Sequence, residues 1–262
     1  EYRKILMYYF HFGRMGAHQG VNKSFARIRT LFWWPGLRKD LEEYHTHCLT
    51  CMRKRPKPTV GSRGHLISSC VGAVLAIDIV GPLPTNEGSI SFLTMIDHFT
   101  RYPHAVPIHS VTSQEIWNIL FYEWISYFGT PIYLLSDNAT VFKSKELKDK
   151  MMEFGIKKIY SYPYHPEGNG IIESFHLFFK KALISNMRLT QWSLRENISS
   201  ILMAYRATPT VATGETPFYL LTGTDMILPQ MQDWTPIITD DSDKIRLENL
   251  AILRAQAFEK TA

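Results

Sequence analysis

Apolar positions recur at helical spacing in two short N-terminal stretches, residues 5 to 12 and 21 to 32, the second placing Val21, Phe25, Ile28, Leu31 and Phe32 together. The turn Trp34-Pro35-Gly36 follows, and a third helix is expected from Leu37 to His47. From Arg53 to Ser69 the periodicity stops. Pro56, Pro58, Gly61 and Gly64 stand there among basic residues, the composition of a linker. Beyond it come three β-like runs, Val71 to Val80, Ile90 to Asp97 and Tyr102 to Ile108. Gly81-Pro82-Leu83-Pro84, Asn86-Glu87-Gly88 and Phe99-Thr100-Arg101 separate them, as in a meander. A helix from about Ser113 to Phe128 leads through Gly129-Thr130-Pro131 into the apolar run Ile132 to Leu135. A helix near Ser144 to Phe154 and a strand from Ile156 to Tyr160 come next. After a loop rich in Tyr, Pro, Gly and His, helices are expected from Ile171 to Asn186 and from Ser193 to Tyr205, and a weak one from Ile245 to Phe258. The alternation is that of an α/β domain. The expected division is a helical unit at 1–55, a linker at 56–70, an α/β domain at 71–225 and a C-terminal extension of uncertain fold at 226–262.

Charge separates the two units. Residues 1 to 65 hold 13 Lys and Arg against 4 Asp and Glu, whereas residues 66 to 262 hold 16 against 20. A basic module suits a polyanion, because Lys and Arg that neutralise phosphates release condensed counterions. No apolar run reaches the roughly 20 residues of a membrane span, and Glu1-Tyr2-Arg3-Lys4 lacks the layout of a signal peptide. Without an initiator Met the chain reads as a piece of a longer polypeptide. Its three cysteines form no disulfide framework and suit a reducing compartment.

Two of those cysteines belong to a second pattern, His11-x6-His18-x29-Cys48-x2-Cys51. Zn²⁺ favours four tetrahedral nitrogen and sulfur ligands, and a Cys-x2-Cys knuckle supplies one edge of that tetrahedron while two histidines supply the other. A closed four-ligand site is structural. About 50 residues of short helices bury too little surface to stand alone, so metal binding would add folding free energy. His45 and His47 beside Cys48 are rival ligands, although His45, His47 and Cys48 are too crowded for three vertices of one tetrahedron. Cys70 has no partner in sequence.

Three carboxylates invite another metal. Asp78 interrupts the apolar strand Val74 to Val80, Asp137 ends the strand Tyr133-Leu134-Leu135-Ser136, and Glu173 lies in the first turn of a helix beginning near Gly170. A carboxylate within an apolar strand is costly unless paired, and Mg²⁺ or Mn²⁺ wants such oxygens. Asp97, ending Phe92-Leu93-Thr94-Met95-Ile96, is the rival to Asp78, but Asp97-His98-Phe99-Thr100-Arg101 looks like a turn capped by its aspartate.

These residues resemble the integrases of gypsy-type long-terminal-repeat retrotransposons and, more distantly, of retroviruses. The likeness rests on Gly16-Ala17-His18-Gln19-Gly20, Phe32-Trp33-Trp34-Pro35-Gly36-Leu37, Cys48-Leu49-Thr50-Cys51, Asp78-Ile79-Val80-Gly81-Pro82-Leu83-Pro84 and Leu135-Ser136-Asp137-Asn138. Tyr164-His165-Pro166-Glu167-Gly168-Asn169-Gly170-Ile171-Ile172-Glu173 and Thr216-Pro217-Phe218-Tyr219-Leu220-Leu221-Thr222-Gly223 extend it to residues 5 to 230 or so. It implies a helical zinc-binding domain on His11, His18, Cys48 and Cys51, and an RNase H-like core with a mixed five-stranded sheet. The acidic triad falls on Asp78, Asp137 and Glu173, with Mg²⁺ or Mn²⁺ as catalytic ions. It also implies a segment of a pol polyprotein that trims the 3′ ends of element DNA and joins them to target DNA. Such proteins act as homo-multimers on double-stranded DNA without a membrane, in the nucleus after a cytoplasmic phase. Two departures stand out. Many gypsy-type sequences carry Asp and Arg where this chain has Asn169 and Ser174.

On the helix after Glu173, His176 at i+3 and Lys180 at i+7 share one side, with Lys181 beside them. All three are candidate contacts to DNA phosphates. A catalytically silent domesticated integrase that binds DNA or protein, and a cut-and-paste transposase or nuclease on the same core, are the alternatives. Intact acids weigh against the first and the zinc grammar against the second.

Overall fold

The computed structural model describes residues 2–13, 16–48, 51, 68, 70–161, 170–229 and 242–261. Among the described residues, three helices make the N-terminal module: α1 (Tyr2–Met7), which runs on as a wider π-helical turn over Tyr8–Phe12, α2 (Val21–Arg29) and α3 (Leu37–Thr46). Met7, Phe10, Ile28, Trp34, Leu37 and Leu41 form its small core. Leu6, Val21, Phe25, Leu31, Phe32 and Tyr44, only partly buried, pack against these six. So limited a core leaves the module short of stabilisation unless something else ties it together.

The larger unit is a five-stranded sheet of β1 (Val74–Thr85), β2 (Gly88–Asp97), β3 (Pro103–Ile108), β4 (Tyr133–Ser136) and β5 (Lys157–Tyr160). Its order is β3-β2-β1-β4-β5, with β1, β2 and β3 antiparallel and β4 and β5 parallel to β1. One face packs on α4 (Ser113–Leu120, continued through Phe121–Ile125 to Ser126–Phe128) and α5 (Lys145–Glu153), around Leu75, Ile77, Leu93, Trp117, Leu134 and Phe142. The other packs on α6 (Gly170–Leu189) and α7 (Leu194–Arg206), around Ala76, Phe92, Phe175, Phe179 and Ile201. The alternation of strand side chains between two covered faces explains why β1 reads as almost continuously apolar. This is the mixed five-stranded, helix-flanked RNase H-like arrangement that the likeness to integrases implies.

One local reading is corrected. Gly81-Pro82-Leu83-Pro84 was expected to separate two strands, yet β1 runs through it to Thr85, and Asn86-Glu87 makes the turn. The register shifts between Val80 and Leu83, a bulge that tolerates a proline without an N–H. Gly81 has φ +126°, and a Cβ there would come within 2.9 Å of the Ser91 Cα, so glycine is required.

Two further helices complete the described chain, α8 (Pro217–Thr222) and α9 (Ser242–Thr261). Arg254 of α9 donates to the carbonyls of Leu220 and Leu221 at 2.8 and 2.9 Å, fastening it to α8. Most of the expected linker, and the loop carrying Tyr162, Tyr164, His165 and Asn169, lie outside the described residues.

Candidate functional site

Two groups of chemistry-bearing side chains stand out, one in each unit. In the helical module the ligand atoms of His11, His18, Cys48 and Cys51 all lie within 4.8 Å of one another. His18 Nδ1 is 3.3 Å from Cys48 Sγ and 3.8 Å from Cys51 Sγ, and His11 Nε2 is 3.5 Å from Cys51 Sγ. A tetrahedron with metal bonds of about 2.0–2.3 Å has edges of roughly 3.3–3.8 Å, so this donor set fits Zn²⁺. His45 meets His11 edge-on with ring centroids 3.9 Å apart, but it is not one of the four converging donors. His47 is exposed, its Nδ1 donating to the Glu43 carbonyl.

The backbone explains the convergence. Ala17 and His18 adopt left-handed conformations, φ 50° and 51°, turning the chain sharply between α1 and α2. A Cβ on Gly16 would sit 2.5 Å from the His11 carbonyl carbon, which is why the turn needs glycine there. His11 Nδ1 donates to the Gln19 carbonyl at 3.1 Å, leaving Nε2 as the free ligand nitrogen. Burial first, then the rings of His45 and His18, hold the His11 pKa down at about 3, keeping it in the neutral, ligating form. Burial and Cys48 push the Cys51 thiol up to about 12, so a thiolate-binding cation is what would deprotonate it.

The second group sits at one end of the sheet. Asp78 projects from β1, Asp137 follows β4, and Glu173 lies in the first turn of α6. The charges of Asp137 and Glu173 both raise the proton affinity of Asp78. Burial is the larger cause, opposed by the Ile79 N–H and Lys180, and the Asp78 pKa stands at about 6. Asp78 Oδ1 accepts from Ile79 N at 2.7 Å, and Asp137 Oδ1 from Ala139 N at 3.0 Å. Among the described residues the His and Cys set is the group of donors that converges within metal-binding reach, and these three acids do not converge in that way. A buried carboxylate whose ionisation neighbouring acids oppose, as at Asp78, is donor chemistry a divalent cation stabilises.

Asp97 is placed elsewhere. Asp97 is 1% exposed, and its carboxylate accepts from Gly72 N, Thr100 N and Thr100 Oγ1 at 2.9, 2.8 and 2.7 Å, which makes it a buried turn cap.

The face of α6 beyond Glu173 divides among its three candidates. His176 is buried, not turned to solvent, and its Nε2 lies 2.6 Å from Thr94 Oγ1. The single Thr94 hydroxyl proton goes to the Asp78 carbonyl at 2.9 Å, so Thr94 must accept from His176 Nε2–H. The other ring nitrogen, Nδ1, then carries its lone pair toward Asp78 Oδ2 at 3.8 Å. Burial, then Lys180, lowers the His176 pKa to about 4, so the contact is not an ion pair at neutral pH. Lys180 is exposed and its charge acts on Asp78, whereas the charge of Lys181 acts on Cys51 in the other module.

Sequence reasoning missed Thr94, which passed as part of an apolar run. Its signal was a hydroxyl opposite Asp78 in the β1–β2 register. It also missed Lys158, whose buried Nζ lies over the rings of Phe142 and Tyr160 at 5.2 and 5.4 Å. Burial lowers that lysine to about 7 against the pull of Asp137.

Family models match both units. Residues 1–57 match the integrase zinc binding domain, and residues 68–166 match the integrase core domain. The chain is 28% identical over 247 residues to the Pro-Pol polyprotein of feline foamy virus, covering 91% of this chain and 20% of that protein. It is 25% identical over 258 residues to the Transposon Tf2-3 polyprotein of Schizosaccharomyces pombe, covering 96% and 19%. The chain belongs to the retroviral and retrotransposon integrases. It spans about a fifth of the length of these relatives. Among solved structures, this integrase chain is similar in fold to the simian T-cell lymphotropic virus intasome bound to the PP2A regulatory subunit B56 gamma. That match has a TM-score of 0.57 and 18% identity, covering 85% of this chain and 77% of that one. The HTLV-2 integrase catalytic core domain in complex with magnesium gives a TM-score of 0.50 at 18% identity, covering 58% and 97%.

Proposed function

We propose that this chain carries out 3′-end processing of element DNA and strand transfer into target DNA. What supports this reading is the match of residues 1–57 and 68–166 to the integrase zinc binding and core domains, with Asp78 on β1, Asp137 just after β4 and Glu173 at the start of α6, the last two acting electrostatically on the first. These carboxylates would hold Mg²⁺ or Mn²⁺, which when bound activates an attacking oxygen and stabilises a leaving one. In processing, water oxygen forms the new bond to phosphorus as the 3′ bridging bond breaks. In joining, the exposed 3′ hydroxyl oxygen takes that place and a target-strand 3′ oxygen leaves. His176 and Thr94 steady the β1 segment at Asp78, and exposed Lys180 receives a DNA phosphate beside it. The substrate is double-stranded DNA, the working form a homo-multimer, and the setting the nucleus after a cytoplasmic phase. Among the described residues no helix is long and apolar enough to cross a membrane.

The test is a strand-transfer assay with short duplexes mimicking the element's ends, in Mg²⁺ or Mn²⁺. The wild type should give joined product and Glu173→Gln none. Duplex binding without any wild-type joining would instead support the silent, domesticated reading. Lys180 and Lys181 can be separated by the salt dependence of DNA affinity. Lys180→Ala should reduce the slope of log K against log salt by about 1, and Lys181→Ala should leave it nearly unchanged, because its charge faces Cys51. Equal slopes for wild type and Lys180→Ala would remove Lys180 from the DNA path.

A further inference from the structure

Gln19 stands between a metal-ligating histidine and a helix of the catalytic core, and it is 2% exposed. A buried amide needs partners for both its ends. Both lie at the end of α7: Nε2 donates to the Ala204 carbonyl at 3.2 Å, and Oε1, 3.1 Å from Thr208 Oγ1, shares that hydroxyl's single proton with the same carbonyl. Thr208 Oγ1 also lies 2.6 Å from that carbonyl. Ala204 is in the last turn of α7, where carbonyls lack partners within the helix. Gln19 therefore caps a core helix from a different module.

The main chain of the same residue belongs to the His and Cys cluster. Its carbonyl accepts from His11 Nδ1 at 3.1 Å and from Ser24 Oγ at 3.3 Å. The first of these bonds decides which nitrogen of His11 faces Cys51. Two further contacts seat the module on the same face. Ala17 is buried in the core cluster that includes Phe175, Phe179 and Tyr205. The Lys23 ammonium lies 5.4 Å from the Phe178 ring centroid and 4.8 Å from that of Tyr205. The helices receiving these contacts are α7 and α6, and α6 begins with Glu173.

We infer that metal occupancy of the His11, His18, Cys48, Cys51 site is energetically linked to seating of the module on the α6–α7 face, with Gln19 as the linking residue. This rests on the zinc reading of that site. A metal that orders the His11 to His18 turn fixes the Gln19 carbonyl, and with it the direction of the side chain that caps α7. Linkage is reciprocal. Loosening the α7 end of the latch must weaken metal binding, and removing the metal must loosen the α7 end.

The test uses the full chain and Zn²⁺ itself. Zinc affinity is measured by competition with a chromophoric chelator for wild type, Gln19→Ala, Thr208→Val and Thr208→Ser. Thr208 contacts no metal ligand in the hydrogen bonds above, so its effect can only travel through Gln19 and the interface. Thr208→Val and Gln19→Ala should bind zinc at least about fivefold more weakly, the low end of ordinary site-to-site coupling, and Thr208→Ser should restore wild-type affinity. In parallel, hydrogen exchange over Tyr205 to Thr210 should speed up in the wild type when zinc is chelated and stay unchanged near β3. Wild-type zinc affinity in both Gln19→Ala and Thr208→Val, or exchange over Tyr205 to Thr210 that ignores zinc, overturns the linkage. A wild-type chain that binds no zinc at all overturns the zinc reading itself, a separate result.

Discussion

Asp78→Asn is expected to abolish DNA joining, by about 10³-fold or more, while making the metal-free protein more stable at pH 7.5. The loss follows if the Asp78 oxygens hold a cation that stabilises transition-state charge, an effect worth several kcal/mol. The gain follows from the sign of the pKa shift. Burial, reinforced by Asp137 and Glu173, raises the folded-state pKa of Asp78 to about 6, above the 3.8 of an ordinary aspartate. A group raised on folding binds its proton more tightly in the native state. Its ionisation thus costs stability above about pH 6, and the cost vanishes as pH falls below 3.8. Asn has no charge to ionise and can still accept the Ile79 N–H. At about 1.4 kcal/mol per unit, reduced for partial solvent screening, the gain at pH 7.5 is roughly 1–2 kcal/mol, several degrees or less in Tm. Melting curves at pH 7.5 and pH 4, with and without Mg²⁺, check it. The variant should melt higher than wild type at pH 7.5 without metal, lose that advantage at pH 4, and gain less from Mg²⁺. A variant that melts lower at pH 7.5 would mean that Asp78 is paired and not repelled, which contradicts the site as described.

The charge cluster also shows what could be read from sequence and what could not. Asp78 and Asp97 each end or interrupt an apolar run, and spacing alone left them rivals. The difference lies in partners: the N–H of Gly72, 25 residues away, comes back to occupy Asp97, and a pattern carries no trace of that bond. The helix face after Glu173 was legible as a face, because 3.6-residue periodicity sets direction about the helix axis. What covers a face was not legible. β2 brings Thr94 onto His176, so a residue read as open to DNA is buried, while the next turn leaves Lys180 exposed. Lys180 and Lys181 differ by about 100° around the axis, enough to send one toward the carboxylates and the other toward Cys51. Gly81-Pro82 failed as a strand break for a related reason. A dipeptide that ends an isolated strand survives as a bulge where a neighbouring strand continues to pair beyond it.

The His and Cys grouping needed less tertiary knowledge, since the Cys knuckle is local and the two histidines flank one turn, and it supports the second large effect. Cys48→Ser, or chelation of the wild type, is expected to unfold the N-terminal module while the sheet of the core persists. Among the described residues the module's own core is six buried side chains with six partly buried ones around them, too little burial to offset the conformational entropy of ordering three helices. Structural zinc in peptides of this size supplies roughly 10 kcal/mol or more of apparent binding free energy, much of it spent on folding. Losing one thiolate removes most of that. Far-UV circular dichroism should register the loss of the helical signal of α1 to α3. The indole of Trp34, held by a 2.7 Å bond to Asp40 and stacked near Arg3, should shift toward the fluorescence of exposed tryptophan. Metal analysis of the purified protein should fall from about one zinc per chain toward none, in keeping with a four-ligand site. Retention of one zinc by Cys48→Ser would move the site to a different donor set, with His45, whose ring already lies on His11, the first to be tested. Retention of the helices without zinc would mean that the contacts of Ala17, Gln19 and Lys23 with the core are sufficient to hold the module folded by themselves.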